Sequence, residues 1–212
     1  MFGCSIRRSP PRGFTLLEVL AALLIASILA AAALPTMTAR VRDQRAQRLA
    51  QQYAMFYREG RMRAMGRGTA HLVRFSTATN PRGSAEIHEA VQVVQGGTSC
   101  ENLPRVGVNS CAAISWGASL ESRLVDTLVQ PEALFSEVFT KFFLDTTEAN
   151  NVDICFSPGG RSYIRGSQSG AFAPFVGVQR LSVKRPIAQD LLSRDVVLLP
   201  NGSTRVETVV GP

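Results

Sequence analysis

Residues 13–34 have the sequence GFTLLEVLAALLIASILAAAAL. It is almost entirely apolar, and the polar side chains within it are Thr15, Glu18 and Ser27. An α-helix rises about 1.5 Å per residue, so a helix over this stretch reaches across the roughly 30 Å hydrocarbon core of a bilayer. The sequence therefore predicts one membrane-spanning helix over residues 14–34.

The segment before this helix is basic, with Arg7, Arg8 and Arg12 and no acidic residue in positions 1–12. A basic head followed by an apolar helix fits a cleaved secretory signal, a plain single-span anchor or a more specialised signal. Glu18 and the length of the apolar run argue against the secretory signal. The details at the start of the helix favour the third interpretation.

Those details are Gly13-Phe14-Thr15-Leu16-Leu17-Glu18-Val19-Leu20 behind the basic leader. They resemble the class III signal of type IV prepilins and type II secretion pseudopilins. In that family a dedicated peptidase cuts after the glycine on the cytoplasmic side and methylates the new N-terminus. The resemblance implies that residues 1–13 are a leader peptide, that Phe14 becomes N-methylated, and that the transmembrane part 14–34 stays in the mature protein.

Glu18 is the unusual residue of the span. A carboxylate in the middle of a bilayer costs on the order of 2.5–3.5 kcal/mol, and such a group normally has a partner and a function. The resemblance implies that the partner is the amine of Phe14, in the same or an adjacent subunit, and that Glu18 acts in filament assembly. Snorkelling of Glu18 to the headgroups is the alternative.

The helical pattern continues beyond the span. Pro35 lacks an N–H and predicts a helix kink. Apolar residues then recur at three- and four-residue steps, as at Leu49, Tyr53 and Phe56, which predicts an amphipathic half packed on a globular head. Glycines near residue 66 end the pattern, so the long N-terminal helix is predicted over 14–66.

Composition limits the remaining functions. Lys+Arg 23 against Asp+Glu 16 gives a net charge of +7, and arginine is dense between residues 40 and 74. This basic stretch predicts contact with membrane lipid headgroups or with an acidic subunit, and only weakly with nucleic acid. The two His and four Cys show no metal-ligand spacing, and no nucleophile or phosphate-loop motif appears. We therefore predict no cofactor, no metal and no enzymatic activity.

The hydropathy period changes to two after the helix, which predicts a β-rich globular head over residues 67–212. The fold class is α+β, a long helix packed on an antiparallel sheet or a two-sheet sandwich, with hairpins at 152–165 and 195–210. Residues 131–144 predict a short amphipathic helix or a packed loop instead. The predicted strands are 69–75, 86–94, 106–115, 152–156, 161–165, 175–183, 195–199 and 204–210.

Three pieces of the head resemble minor pseudopilins of the GspH/FimT type: Gly68–Phe75, Ile154–Arg161 and the turn at Asn201-Gly202. Members of that group are low-abundance subunits that prime or cap assembly near the filament tip. The implied location is the bacterial inner membrane, single-pass with the head in the periplasm. The implied partners are other pilin subunits, the prepilin peptidase and the inner-membrane assembly platform. The choice between a type IV pilus and a type II secretion filament stays open.

In a periplasmic head, the favoured disulfide joins Cys100 and Cys111. In the chain-entropy model, closing that loop stabilises the folded protein by about 3 kcal/mol, because it lowers the entropy of the unfolded chain. Cys155 then reads as a buried free thiol. Pairing of Cys155 with either of the other two stays open.

A second function of the head is a DNA-uptake receptor. Some FimT-type minor pilins are DNA receptors that use a G-R-x-R element, and Gly160-Arg161-Ser162-Tyr163-Ile164-Arg165 is similar, with two extra residues between the arginines. In a strand, Arg161, Tyr163 and Arg165 share one face, with the ring available for base stacking. A basic-ended strand face without DNA is the simpler interpretation. The alternative outside the family is a single-span envelope protein of unrelated function.

Overall fold

The computed structural model describes residues 15–78, 80–93, 105–117, 121–130, 135, 138–184 and 192–210, without the side chains of 32–36, 38, 39, 93, 105, 192 and 210. The chain divides between Arg42 and Asp43 into two compact units. The second unit holds the C-terminal half of the long helix together with the strands. That half of the helix is therefore part of the folded head.

The helix, α1, spans Leu16–Arg67. It ends where Gly68 adopts a φ of 69°, a left-handed conformation that glycine tolerates without a steric cost. This end lies within one residue of the predicted boundary. The helix is continuous through position 35, and the kink expected from Pro35 stays a prediction.

The C-terminal half of α1 presents an apolar face to the head, as its periodicity predicted. Leu49, Tyr53 and Tyr57 are fully buried. The same face carries small buried residues that let a sheet approach the helix closely, among them Ala46, Ala50, Ala54 and Ala64. This face is what fixes the helix to the strands.

Strands follow α1 within the described part of the chain, and every pairing between them is antiparallel. They are β1 His71–Ser76, β2 Ser84–Val93, β3 Arg105–Gly107, β4 Ser122–Val129, β5 Phe139–Leu144, β6 Thr147–Ala149, β7 Asn151–Phe156, β8 Ser162–Arg165, β9 Ala173–Pro174, β10 Gln179–Lys184, β11 Leu192–Leu198 and β12 Thr204–Val210.

The strands form two sheets. The first has the order β3-β2-β1-β7-β8-β9, with β4 also paired to β2, and the second has the order β12-β11-β10-β5-β6. In the first sheet, β4 occupies the edge of β2 over Ser84–Ala90, and β3 pairs with its last residues, Val91–Val93. The two predicted hairpins, β7–β8 and β11–β12, are confirmed.

One apolar core joins the helix to both sheets. Val73 and Phe75 of β1 and Ile154 of β7 point into it from the first sheet, and Phe142 and Leu181 do so from the second. We call this side of the first sheet its inner face. The alternate residues, including Leu72 and Cys155, lie on the opposite, outer face in a smaller cluster. The fold class is thus α+β with two antiparallel sheets, as the sequence predicted.

Two stretches differ from the predictions. Residues 139–144 form β5 rather than a helix or loop. Thr140 and Phe142 are buried, whereas Phe139 and Lys141 are exposed, and this alternation is that of a strand. The predicted strand 106–115 ends at Gly107, and residues 108–117 cross the outer face without strand structure.

Other strand boundaries also moved. The predicted strand 175–183 begins only at Gln179, and neither β4 nor β6 was predicted. β4 is half-exposed and carries a bulge where its pairing with β2 shifts register, so its sequence lacks a clean alternation.

Gly60 lies at a close approach of α1 to β1 of the first sheet, and this contact generates a stability prediction. A Cβ at this position would lie 2.4 Å from Val73 Cγ2, whereas a Cβ at Gly66 of the same helix meets nothing within 4 Å. We expect Gly60→Ala to destabilise the protein by about 1–3 kcal/mol through overpacking. Gly66→Ala, the matched control, should be neutral or stabilising by up to about 1 kcal/mol. Urea unfolding of the full chain in nonionic detergent measures both. Equal stability of the two variants would contradict the packing described.

Candidate functional site

The predicted processing site lies at the start of the described chain. Gly13 and Phe14 fall outside the described residues, which begin at Thr15. Cleavage between Gly13 and Phe14 and methylation of Phe14 therefore stay predictions. The first helical turn, which contains Glu18, is described and shows how this end of the helix is built.

Thr15 caps the helix. Its Oγ1 accepts a hydrogen bond from the backbone N–H of Glu18 at 3.3 Å, and its carbonyl oxygen accepts from the N–H groups of Glu18 and Val19 at 3.1 and 3.2 Å. A threonine followed three residues later by glutamate is the pattern of a capping box, and a carboxylate in the first turn is favoured by the helix dipole. This cap was not predicted, although the Thr-x-x-Glu spacing in the sequence indicates it.

The first part of α1 carries apolar side chains all around its axis. Leu16 and Leu17 are 80% and 78% exposed, and Leu23, Leu24, Ile25, Ile28 and Leu29 are each more than half exposed. Glu18 is the one charged side chain between Thr15 and Ala31. Within the residues whose side chains are described, no helix is both long and apolar enough to cross a membrane.

The disulfide differs from the favoured prediction. Cys111 pairs with Cys155, with the two Cα atoms 6.0 Å apart, and Cys100 lies outside the described residues. The predicted Cys100–Cys111 bridge and the free thiol at Cys155 are therefore wrong. The reason is the sheet. β7 places Cys155 on the outer face, directly beneath residues 108–117, which we call the strap. Loop length along the chain could not reveal that crossing.

A row of charged side chains runs across the outer face. Strand register places Arg74 of β1 and Arg165 of β8 on either side of Asp153 in β7. Arg74 donates from Nε and Nη2 to the two Asp153 carboxylate oxygens at 2.9 and 3.0 Å. Arg165 donates to Asp153 Oδ2 from Nε and Nη2 at 2.8 and 2.6 Å. The Asp153 side chain is 1% exposed, and its buried negative charge is compensated by ion pairs with the two arginines.

This row changes the interpretation of the predicted DNA-binding trio. Arg165 is 10% exposed, paired with Asp153, and stacked 4.4 Å from the ring centroid of Phe172. Tyr163 is half-buried against the cluster that contains the disulfide. Arg161 precedes β8 and is exposed. The structure therefore brings the three together on one face but leaves only Arg161 with an exposed charge. Asp153, which neutralises Arg165, was not singled out in the sequence because only strand register brings the two together.

A second cluster of titratable groups lies where α1 meets β1 and β2. Glu89 is 5% exposed; it accepts a hydrogen bond from Thr69 Oγ1 at 3.2 Å, pairs with Arg67 at 3.3 Å and bonds Arg123. Burial acts to raise the pKa of Glu89, but the hydrogen bond and charge of Arg123 lower it overall. His71 is fully buried, and burial lowers its pKa below the usual range. Its Nδ1–H donates to the carbonyl of Thr69 at 3.1 Å, which leaves Nε2 buried without a hydrogen-bond partner among the described residues.

His71 and Glu89 both make the folded protein less stable as the pH falls. Because the folded pKa of His71 is depressed, its stabilising contribution is present above its unfolded pKa of about 6.5 and is lost as pH falls through the folded value. Glu89 acts in the same direction at lower pH. We expect the free energy of unfolding to decrease from about pH 6.5 downward, and His71→Gln to flatten the first part of that decrease.

The matched control is His88→Gln, at the chain's other histidine, which pairs with Glu86 at 2.9 Å. It should leave the contribution of His71 intact. Denaturant unfolding of the full chain across pH measures all three proteins. If the free energy of unfolding of His71→Gln falls with decreasing pH as steeply as that of the wild type, the assignment to His71 is wrong.

Comparison with known proteins finds one family model that matches the N-terminus and some similar solved structures. Residues 8–34 match the family model described as the prokaryotic N-terminal methylation motif. No curated protein has significant sequence similarity to the chain. Two crystal structures of the type IV minor pilin FimU from Pseudomonas aeruginosa are similar to it, each at 11% identity. One covers 76% of this chain and 91% of the other with a TM-score of 0.42, and the second covers 78% and 90% with a TM-score of 0.39.

The matched motif includes the basic leader residues Arg8 and Arg12, the Gly13-Phe14 step and Glu18. It also extends over the apolar part of α1 to Leu34. These are the features on which the resemblance to prepilins was based. The chain thus carries a prokaryotic N-terminal methylation motif over residues 8–34.

Proposed function

We propose that the protein is a pilin-like minor subunit of a type IV pilus or type II secretion filament. The prepilin peptidase cleaves it between Gly13 and Phe14 and methylates Phe14. The apolar part of α1 holds it in the bacterial inner membrane with the head in the periplasm, until the assembly platform moves it into the filament. The observation that carries this proposal is the methylation motif over residues 8–34.

The surface of α1 supports the same role. A helix that is apolar on all sides is stable only when its whole surface is buried, in lipid or among other helices. Among the described residues nothing buries Leu16, Leu17 and Leu23, each of which is at least 61% exposed. A filament subunit buries these side chains in lipid before assembly and among the helices of its neighbours after assembly.

Glu18 gives the assembly its axial register in this proposal. Cleavage after Gly13 creates a positively charged amine on Phe14, close to the first helical turn. In apolar surroundings, the carboxylate of Glu18 and the amine of a neighbouring subunit attract strongly, and either charge alone is costly. Helices that slide out of register separate the two charges and are disfavoured.

The head contributes recognition of neighbouring subunits. Its outer face is stiffened by a disulfide and a buried ion row, so it offers a fixed surface to a partner. Priming or capping at the filament tip is the role we assign to it, on the resemblance of its strands to minor pseudopilins. The work is mechanical and interfacial, without catalysis.

The Glu18 proposal predicts a specific defect. We expect Glu18→Gln to be cleaved and membrane-inserted normally but to enter filaments at about one tenth of the normal level or less, because the amine then lacks its counter-charge. The measurement is immunoblotting of sheared filaments and of the membrane fraction, in cells that assemble the filament.

Thr15→Val is the matched control, since it removes the side-chain cap of the same helical turn and keeps the carboxylate. It should assemble at close to the normal level. Incorporation of Glu18→Gln into filaments at the normal level would contradict the charge-pairing role of Glu18. An equal loss in both variants would assign the effect to helix capping instead.

A further inference from the structure

A cleft of about 380 Å³ opens on the outer face, between the strap and the turn that precedes β8. Asn109 and Ser110 of the strap line one side. Ser157 and Arg161 of the turn line the other, and Tyr163 also contributes to the lining. Its volume is in the range of clefts that hold a short peptide segment or a small ligand.

Both walls of the cleft are fixed in place. The Cys111–Cys155 disulfide ties the strap to β7, and Trp116 donates its indole N–H to the carbonyl of Cys111 at 2.9 Å. On the opposite wall, the N–H of Ser157 donates to the carbonyl of Arg161 at 2.9 Å, and the Ser157 hydroxyl donates to the same oxygen at 3.1 Å. A ligand that enters therefore meets a preformed site and loses little free energy to ordering it.

The lining combines one cation with neutral donors and aromatic rings. Arg161 is exposed, and among the described residues no carboxylate lies within ion-pair distance of it. None of the described residues that line the cleft is acidic. Tyr163 and Phe172 supply an apolar surface beside the guanidinium. Such a site favours a group with one negative charge on an apolar stem.

The balance of charge favours a carboxylate over a nucleic acid. Binding of a nucleic acid strand depends on several exposed cations that follow its phosphates. Here Arg165 is 10% exposed and shares Asp153 with Arg74, so among the described residues that line the cleft Arg161 is the one cation with an exposed charge. One guanidinium matches one carboxylate in charge and in hydrogen-bond geometry.

We propose that this cleft binds a carboxylate carried by a peptide segment of a partner protein, with Arg161 as the counter-charge and Tyr163 and Phe172 against the neighbouring apolar side chain. The site rests on the geometry of the outer face and does not require the proposed filament role. The carboxylate comes from a peptide C-terminus or from an acidic side chain, and the experiment separates these sources.

The test uses the full chain in nonionic detergent and three fluorescent peptides of equal length, followed by fluorescence polarisation. The first ends in phenylalanine with a free C-terminal carboxylate. The second carries glutamate before an amidated phenylalanine, and the third has glutamine in place of that glutamate. We expect saturable binding of the first or the second peptide, which identifies the source, and binding of the third at least about tenfold weaker.

Arg161→Gln should weaken binding of the charged peptide by about tenfold, and Arg161→Lys should restore part of it. Arg180→Gln is the matched control, because Arg180 is also an exposed strand-region arginine but lies on β10 in the other sheet. It should bind like the wild type. Equal binding of all three peptides, no binding, or no effect of Arg161→Gln would overturn the proposal. So would binding of a fluorescent single-stranded oligonucleotide that depends on Arg161 while the peptides fail to bind.

Discussion

The packing of one helical face against two sheets is the constraint on which the rest of the head depends. Tyr53 and Tyr57 are fully buried on that face, and Ala50, Ala54 and Ala64 on the same face are buried with them. Gly60 sits where even a methyl group would meet Val73. The helix covers the inner face of the first sheet. The ion pairs of Asp153 and the Cys111–Cys155 disulfide therefore lie on the outer face.

Polar ties secure the same interface at its margins. Arg194 of β11 donates from Nη2 to both carboxylate oxygens of Asp43 at 2.9 and 2.8 Å. Arg58 donates from Nε to Thr204 Oγ1 at 2.8 Å, so the strands of the second sheet are bonded directly to the helix. Within the basic stretch 40–74, Arg58, Arg63, Arg67 and Arg74 thus make polar contacts in the head, whereas Arg48 is exposed.

The predictable parts of the fold are those with a local signal. The helix followed from its apolar period and from Gly68, and the hairpins β7–β8 and β11–β12 followed from alternation and turn residues. β5 was missed because its phenylalanines also fit a helical spacing, and only pairing with β10 selects the strand. The Cys111–Cys155 bridge and the pairing of Arg165 with Asp153 depend on which strands lie side by side. Residue spacing along the chain carries no information on that.

The central claim concerns the N-terminus, where a charged residue within an apolar helix is explained by a processed, positively charged neighbour. The most direct measurement is mass spectrometry of the N-terminal peptide of the protein isolated from the cells that make it. We expect the mature chain to begin with N-methylated Phe14. A chain that retains Arg7, Arg8 and Arg12, or one that begins after the alanines at residues 30–33, would contradict it.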